Sequence, residues 1–147
     1  VSNEIVHEVD TFTTLAAIAD ATIPADRPID GVNLLPYLTN KPQTQPGRAL
    51  FWRDGPYRAM QEDKWKLIVS ERPRKDWLFN LATDPTEKVN LASAQPEKLA
   101  QMKALQAAHH TQMPPPQWPS FLEMPVEIDK TLNQKHLPSD EYTYWSN

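Results

Sequence analysis

The sequence predicts an α+β fold: a small four-stranded antiparallel sheet packed by a C-terminal helix, with an N-terminal helix before it and an extended proline-rich tail after it. Three observations carry this reading. Four short apolar runs with polar breaks follow one another between residues 48 and 81, and consecutive strands joined by short connections pair antiparallel. One long stretch after them, residues 93–110, has helical spacing. Finally, the chain holds 15 prolines against 3 glycines, and six of those prolines lie beyond Met113. The length of 147 residues suits one domain of ordinary size.

Taken in order, the first helical signal lies in residues 4–19, where Ile5, Val9, Phe12, Ala16 and Ala19 recur at three- and four-residue steps. Thr11, Thr13 and Thr14 weaken its first half, because branched side chains lose rotamer freedom and hydroxyls compete for backbone bonds. The better division is an extended lead-in to Val9 and then a helix to Ala19 with Asp10 as its N-cap. Asp30-Gly31 marks a turn, and Leu34-Leu35-Pro36-Tyr37-Leu38 suits a single helical turn pressed on a core. Residues 40–47 read as an exposed loop.

The strands are expected at 48–53, 56–61, 64–70 and 77–81. In the third, alternation puts Trp65, Leu67 and Val69 on one face and Lys64, Lys66 and Ile68 on the other. The helix of residues 93–110 has Pro96 and Glu97 in its first turn, where both are favourable. Leu99, Met102 and Leu105 form its expected buried stripe, and His109 and His110 stand at the C-terminal end, where a cationic imidazole is welcome. Beyond Met113, Pro114-Pro115-Pro116 favours a polyproline run. Trp118, Phe121, Leu122, Val126, Ile128, Tyr142, Tyr144 and Trp145 are apolar anchors by which such a tail wraps a body. The expected organisation is 1–47 for the end of a preceding region and its loops, 48–112 for the sheet and helix, and 113–147 for the tail.

Composition excludes several classes of function. No run approaches the ~18–20 apolar residues needed to span a bilayer. Zero cysteines exclude a disulfide scaffold, a Cys-ligated zinc and a cysteine nucleophile within these residues. A net charge of −4 argues against a general nucleic-acid binder. His109 and His110 are adjacent and point about 100° apart on a helix, His7 and His136 are isolated, and no metal site is expected from this chain alone. No serine lies in a Gly-x-Ser-x-Gly elbow and no Gly-rich loop cradles phosphate. The opening Val1-Ser2-Asn3, with neither a start methionine nor a signal peptide, is expected of a segment or processed piece of something longer.

Charge is unevenly spread. From Arg48 to Lys75, eight basic residues face four acidic ones, a local charge of +4 in an acidic chain. Two readings stand: a solvated sheet face with Lys and Arg stems laid over apolar surface, or a surface turned toward an anionic ligand or acidic partner.

Four motifs, in order, resemble the C-terminal part of the sulfatase family. Val9-Asp10-Thr11-Phe12-Thr13-Thr14-Leu15 is similar to its Val-Asp-Leu-Phe-Pro-Thr-Leu. Asp30-Gly31-Val32-Asn33-Leu34-Leu35-Pro36-Tyr37-Leu38 is similar to Asp-Gly-x-x-Leu-x-Pro-x-Leu. Arg58-Ala59-Met60-Gln61 and Asp63-Lys64-Trp65-Lys66-Leu67-Ile68 resemble an Arg-Ala-x-Arg-x-Gly-x-Trp-Lys-Leu-Ile hairpin. Leu78-Phe79-Asn80-Leu81 through Asn90-Leu91 resembles Leu-Tyr-x-Leu-x-x-Asp-Pro-x-Glu-x-x-Asn-Leu. Departures are Thr13 in place of proline, Asp20 where a helix-ending glycine is common, and Glu62-Asp63 in the hairpin turn.

The resemblance implies that this part forms a four-stranded antiparallel sheet packed by a C-terminal helix, next to a large α/β domain of the alkaline-phosphatase type. That domain would carry the formylglycine, the calcium ligands and the Lys and His residues of sulfate-ester hydrolysis, so no catalytic residue, formylglycine or Ca2+ site is expected here. It implies a periplasmic or secreted parent enzyme acting on a sulfated small molecule or carbohydrate, with the catalytic domain as this chain's partner. The role expected is to support that domain and line the leaving-group side of its pocket, with Arg53, Arg58 and Lys66 as anion contacts and Trp52 as a stacking surface. The alternative is a non-catalytic module that binds anionic glycans or a protein.

Overall fold

The computed structural model describes residues 5–39, 48–115, 117–118, 121–128, 130 and 133–146. The loop expected at 40–47, Pro116 of the polyproline run and the side chain of Trp145 lie outside the described residues. Two compact units make up the chain, Val1–Leu50 and Phe51–Asn147.

The first unit holds α1 (Asp10–Ile18) and α2 (Leu35–Leu38). Helix α1 is inside out relative to its apolar periodicity. Asp10, Thr13 and Thr14 are buried, while Phe12, Leu15 and Ile18 are exposed. Hydrogen bonding explains the inversion. Thr13 Oγ1 donates to the Val32 carbonyl at 2.7 Å, and Thr14 Oγ1 accepts from the Leu34 amide at 3.0 Å. The threonines that weaken the helix locally therefore tie it to the segment before α2, and a satisfied buried hydroxyl loses little on leaving water. Nor is Asp10 the N-cap; that position is Val9. The Asp10 carboxylate reaches back to the His7 amide and outward to the Val32 amide and Arg48.

Two further local expectations resolve cleanly. Asp20 adopts a left-handed φ of 51°. Its amide and that of Ala21 return to the Ala17 and Ala16 carbonyls, so the helix end closes as it would on glycine. Gly31 does not sit in a turn: a Cβ there would lie 2.1 Å from the Val9 carbonyl oxygen, so the residue is needed for close backbone approach.

The second unit is built on the predicted sheet, with strands β1 (Ala49–Asp54), β2 (Tyr57–Glu62), β3 (Trp65–Glu71) and β4 (Arg74–Asn80) in the order β1-β2-β3-β4. The pairs β2–β3 and β3–β4 are antiparallel and align Met60, Leu67 and Leu78 in one row across the sheet. All three are fully buried, as is Met102 of helix α3 (Pro96–His110), which lies against β3. Ion pairs flank this apolar row, Lys98 with Glu62 and Lys103 with Asp76. The buried face of α3 runs through Met102 to Gln106 and not to Leu105, which is exposed. Strand β4 starts three residues before the expected Trp77, because Glu71 and Arg74 already pair across a two-residue turn.

The tail is extended and carries a second sheet, β5 (Glu123–Glu127) paired antiparallel with β6 (Tyr142–Ser146). Pro125 opposite Tyr144 is tolerated because a two-stranded sheet is all edge. Trp77 Nε1 donates to Glu141 at 2.9 Å, which joins the tail to β4. No helix among the described residues is long and apolar enough to cross a membrane.

Candidate functional site

A cleft of about 260 Å³ opens near the C-terminal end of α3, lined by Phe51, Trp52 and Arg53 of β1, Arg58 and Ala59 of β2, and Gln106, His109, His110 and Met113. It brings together three of the four residues singled out in the sequence. Strand alternation puts Arg53 on the side of β1 that Phe51 turns to α3, and Arg58 on the α3-facing side of β2 with Met60 and Glu62, two and four residues on. The Arg58 carbonyl accepts from Gln106 Nε2 at 3.1 Å, which fixes the end of α3 against β2. The Phe51 ring stacks on His109, with centroids 3.8 Å apart and planes 5° from parallel, which fixes the same end against β1.

The polar groups of the cleft are unevenly engaged. Arg58 is ion-paired with Glu71, and Arg53 Nη2 donates to the Pro114 carbonyl at 3.3 Å. A guanidinium has five N–H donors, so one such partner leaves further donors for an anion. Among the described residues no carboxylate lines the cleft. Burial holds the His110 imidazole below its ordinary range, and the charges of Arg58, Arg53 and His109 act in the same direction. Both effects disfavour the cationic form that its position at the helix terminus suggests. Trp52 is 40% exposed and lines the cleft. The set can hold an anion and stack a ring. It contains no serine or cysteine nucleophile, and no three His, Cys, Asp or Glu side chains gather as metal ligands among the described residues.

Lys66 lies elsewhere. Its Cα partner on β2 is Gln61, three residues from Arg58, and an odd offset puts the two side chains on opposite faces. Lys66 Nζ bonds both oxygens of Glu87, at 2.7 and 2.9 Å. It lines a separate groove with Ile68, Trp77, Phe79 and Tyr144.

Half of the basic run from Arg48 to Lys75 is neutralised by acids distant in sequence. Arg48 pairs with Asp10, Lys66 with Glu87, Arg72 with Glu123 and Lys75 with Glu141. Arg53 and Arg58 meet in the cleft at the end of α3. Gln106, His109 and His110 were not singled out in the sequence as site residues. The available signal was their spacing of three and four residues, which continues the buried face of Met102 into polar groups at the end of a helix.

No family model matches the sequence. Among curated proteins the chain is similar to the uncharacterized sulfatase YdeN of Escherichia coli (strain K12). The two are 25% identical over 141 residues, covering 70% of this chain and 25% of that protein. It is similar in structure to a protein of Bacteroides thetaiotaomicron assigned as a sulfatase, with a TM-score of 0.59 and 25% identity over 70% of this chain and 24% of that one. A 2-O GAG sulfatase shares its fold with a TM-score of 0.57 and 24% identity over 70% of this chain and 24% of that one. So does a protein solved in complex with its substrate, D-glucosamine-2-N,6-O-disulfate, with a TM-score of 0.55 and 20% identity over 70% of this chain and 23% of that one. The chain thus spans about a quarter of the length of the curated relative it matches. By sequence and by fold the chain is similar to part of a sulfatase, a match consistent with the C-terminal portion of one.

Proposed function

We propose that this chain is the C-terminal portion of an enzyme that hydrolyses sulfate esters of carbohydrates, and that its cleft lines the leaving-group side of the substrate pocket. The observation that carries the proposal is the convergence of Trp52, Arg53 and Arg58 in one cleft that no carboxylate among the described residues lines. Two guanidinium groups suit an oxyanion, and an indole face suits a sugar ring. The relative solved with a disulfated glucosamine supports a sulfated carbohydrate as the substrate class.

The formylglycine and calcium that the resemblance implies would belong to the catalytic domain. This chain has no cysteine, and its described residues gather no set of metal ligands. The supporting role draws on α1, whose Phe12, Leu15 and Ile18 are 53–60% exposed on one helix and suit burial against the catalytic domain. Lys66, on the far face of the sheet, is proposed as an anchor for the loop of Glu87 and not as a substrate contact.

The test is kinetic. In the full-length parent enzyme, Arg53→Ala and Arg58→Ala should each raise KM for a sulfated glucosamine by about tenfold, the loss of one charge-assisted hydrogen bond. Unchanged kinetics for both on every sulfated sugar tried would sink the pocket-lining role. The competing reading, a free-standing anionic-glycan module, predicts salt-sensitive binding of sulfated polysaccharide with no effect of either substitution on hydrolysis. The internal pairing of half of the basic run weighs against it.

A further inference from the structure

Trp52, Arg53 and Arg58 make up the proposed anion site, in which the imidazole of His110 has no task so far. His110 is half-buried on the last turn of α3 and lines the same cleft as both guanidinium groups. Its neighbour His109 is committed to the Phe51 ring, and Gln106, one turn earlier, to the Arg58 carbonyl. We propose that His110 is a third binding group of this cleft, which takes up a proton as a sulfo or carboxylate group of a sugar settles beside Arg53 and Arg58. The inference rests on the reading of the cleft as an anion site and adds to it a pH dependence.

The charges around His110 set the sign. Arg53 faces it from β1, Arg58 from β2 and His109 from α3 itself, while Glu71 of β3 is paired to Arg58. The rest of the lining, Phe51, Trp52, Ala59, Gln106 and Met113, carries no charge. Without a ligand, protonation would place a further cation in a partly desolvated cavity beside two others, so the neutral imidazole is favoured. An anion in the cleft reverses that balance: it offsets the guanidinium charges and offers the imidazolium N–H an acceptor. Solvent supplies the proton. Since the bound state then holds more protons than the free state, linkage requires affinity to rise as pH falls.

The experiment uses the full-length parent protein and the 6-deoxy-6-sulfonate of D-glucosamine, which has a C–S bond and no ester to cleave. Titration calorimetry at neutral pH in two buffers of different ionisation heat counts the protons taken up on binding. The wild type should take up a fraction of a proton more than His110→Gln. Its Kd should also tighten several-fold more than the variant's between about pH 8 and pH 6, with a ceiling of about tenfold for each unit by which the anion raises the imidazole pKa. Equal uptake and equal pH slopes in wild type and His110→Gln, with Arg53→Ala/Arg58→Ala still impaired in binding, would overturn the role of His110 and leave the cleft standing. Wild-type binding by the Arg53→Ala/Arg58→Ala variant would overturn the cleft, and His110 with it.

Discussion

The carboxylate of Asp10 and the guanidinium of Arg48 meet two-on-two, Oδ1 to Nη2 at 2.7 Å and Oδ2 to Nη1 at 2.8 Å, across 38 positions of sequence. Asp10 is fully buried, and the Arg48 side chain is 10% exposed. The same carboxylate accepts the His7 amide at 2.8 Å and the Val32 amide at 2.9 Å. One acidic group thus ties together the start of α1, the segment before α2 and the entry to β1. Asp10→Asn would leave the guanidinium buried without its charge partner, and a broken buried pair costs about 3–5 kcal/mol. Urea unfolding of the variant should show that loss. Arg48→Lys should restore little of an Arg48→Met loss, because an ammonium cannot reproduce the fork.

Asp10 also sets a pH dependence. Burial works to raise its pKa, but the Arg48 hydrogen bonds, the Val32 and His7 amides and the Arg48 charge outweigh it and lower the value from 3.8 to about 2. With the folded pKa below the unfolded one, the group's contribution is complete above about 3.8 and is lost as pH falls through about 2. Its size is on the order of 2 kcal/mol. Wild-type stability should therefore fall more steeply than that of Asp10→Asn below about pH 4, measured by urea titrations across that range.

Gly31 and Val9 make the second contact of the first unit that a single change should break. An added Cβ would meet Val9 O at 2.1 Å and Val9 C at 2.8 Å, both backbone atoms that no rotamer change can move aside. Gly31→Ala must push the segment of Val32 away from α1, which also stretches the Val32 amide bond to Asp10. A loss of about 1–3 kcal/mol is expected from such overpacking. Thermal unfolding should register it, and Asp10→Asn/Gly31→Ala should lose less than the sum of the two single losses, since both act on that one bond.

The sheet was legible in the sequence because alternation and short polar breaks are local signals. Trp65, Leu67 and Val69 do share the α3-facing side, and Lys98 Nζ stands 5.9 Å over the Trp65 ring. Two of the failures share one cause, namely partners distant in sequence. Glu87, Glu123 and Glu141 lie 21, 51 and 66 positions from Lys66, Arg72 and Lys75, so this part of the basic run could not be seen as neutralised. Thr13 and Thr14 read as helix weakeners because their acceptor and donor lie 19 and 20 positions on, at Val32 and Leu34. Arg53 and Arg58 were legible as candidates from residue type alone. Their company of Gln106 and His110 was not, since it depends on where α3 ends against the sheet.

Tyr57 holds the tail by one atom. Its hydroxyl accepts the Tyr144 amide at 2.7 Å and donates to the Arg72 carbonyl at 3.2 Å. Tyr57→Phe keeps the ring and strands a half-buried amide, worth about 1–3 kcal/mol. Because the bond joins β6 to β2, the effect should be local: amide exchange at Tyr144 should accelerate while that of Leu67 and Leu78 stays near the wild-type rate.

Lys66 and Arg58 make the sharpest functional contrast in the chain. They occupy adjacent strands, and both belong to the hairpin by which the chain resembles sulfatases, yet strand parity sends them to opposite faces. Lys66 already satisfies both oxygens of Glu87, a residue held at a left-handed φ of 57°. Lys66→Ala should therefore loosen the loop around Glu87 at a small cost, about 0–1 kcal/mol for a partly exposed pair. KM for a sulfated glucosamine in the parent enzyme should stay within about twofold, against about tenfold for Arg58→Ala. Arg58→Ala/Lys66→Ala should match Arg58→Ala alone, because side chains on opposite faces with separate partners contribute independently. If Lys66→Ala raised KM as much as Arg58→Ala does, the substrate would have to engage the groove on the far face, and the α3-end cleft would lose its claim to be the anion site.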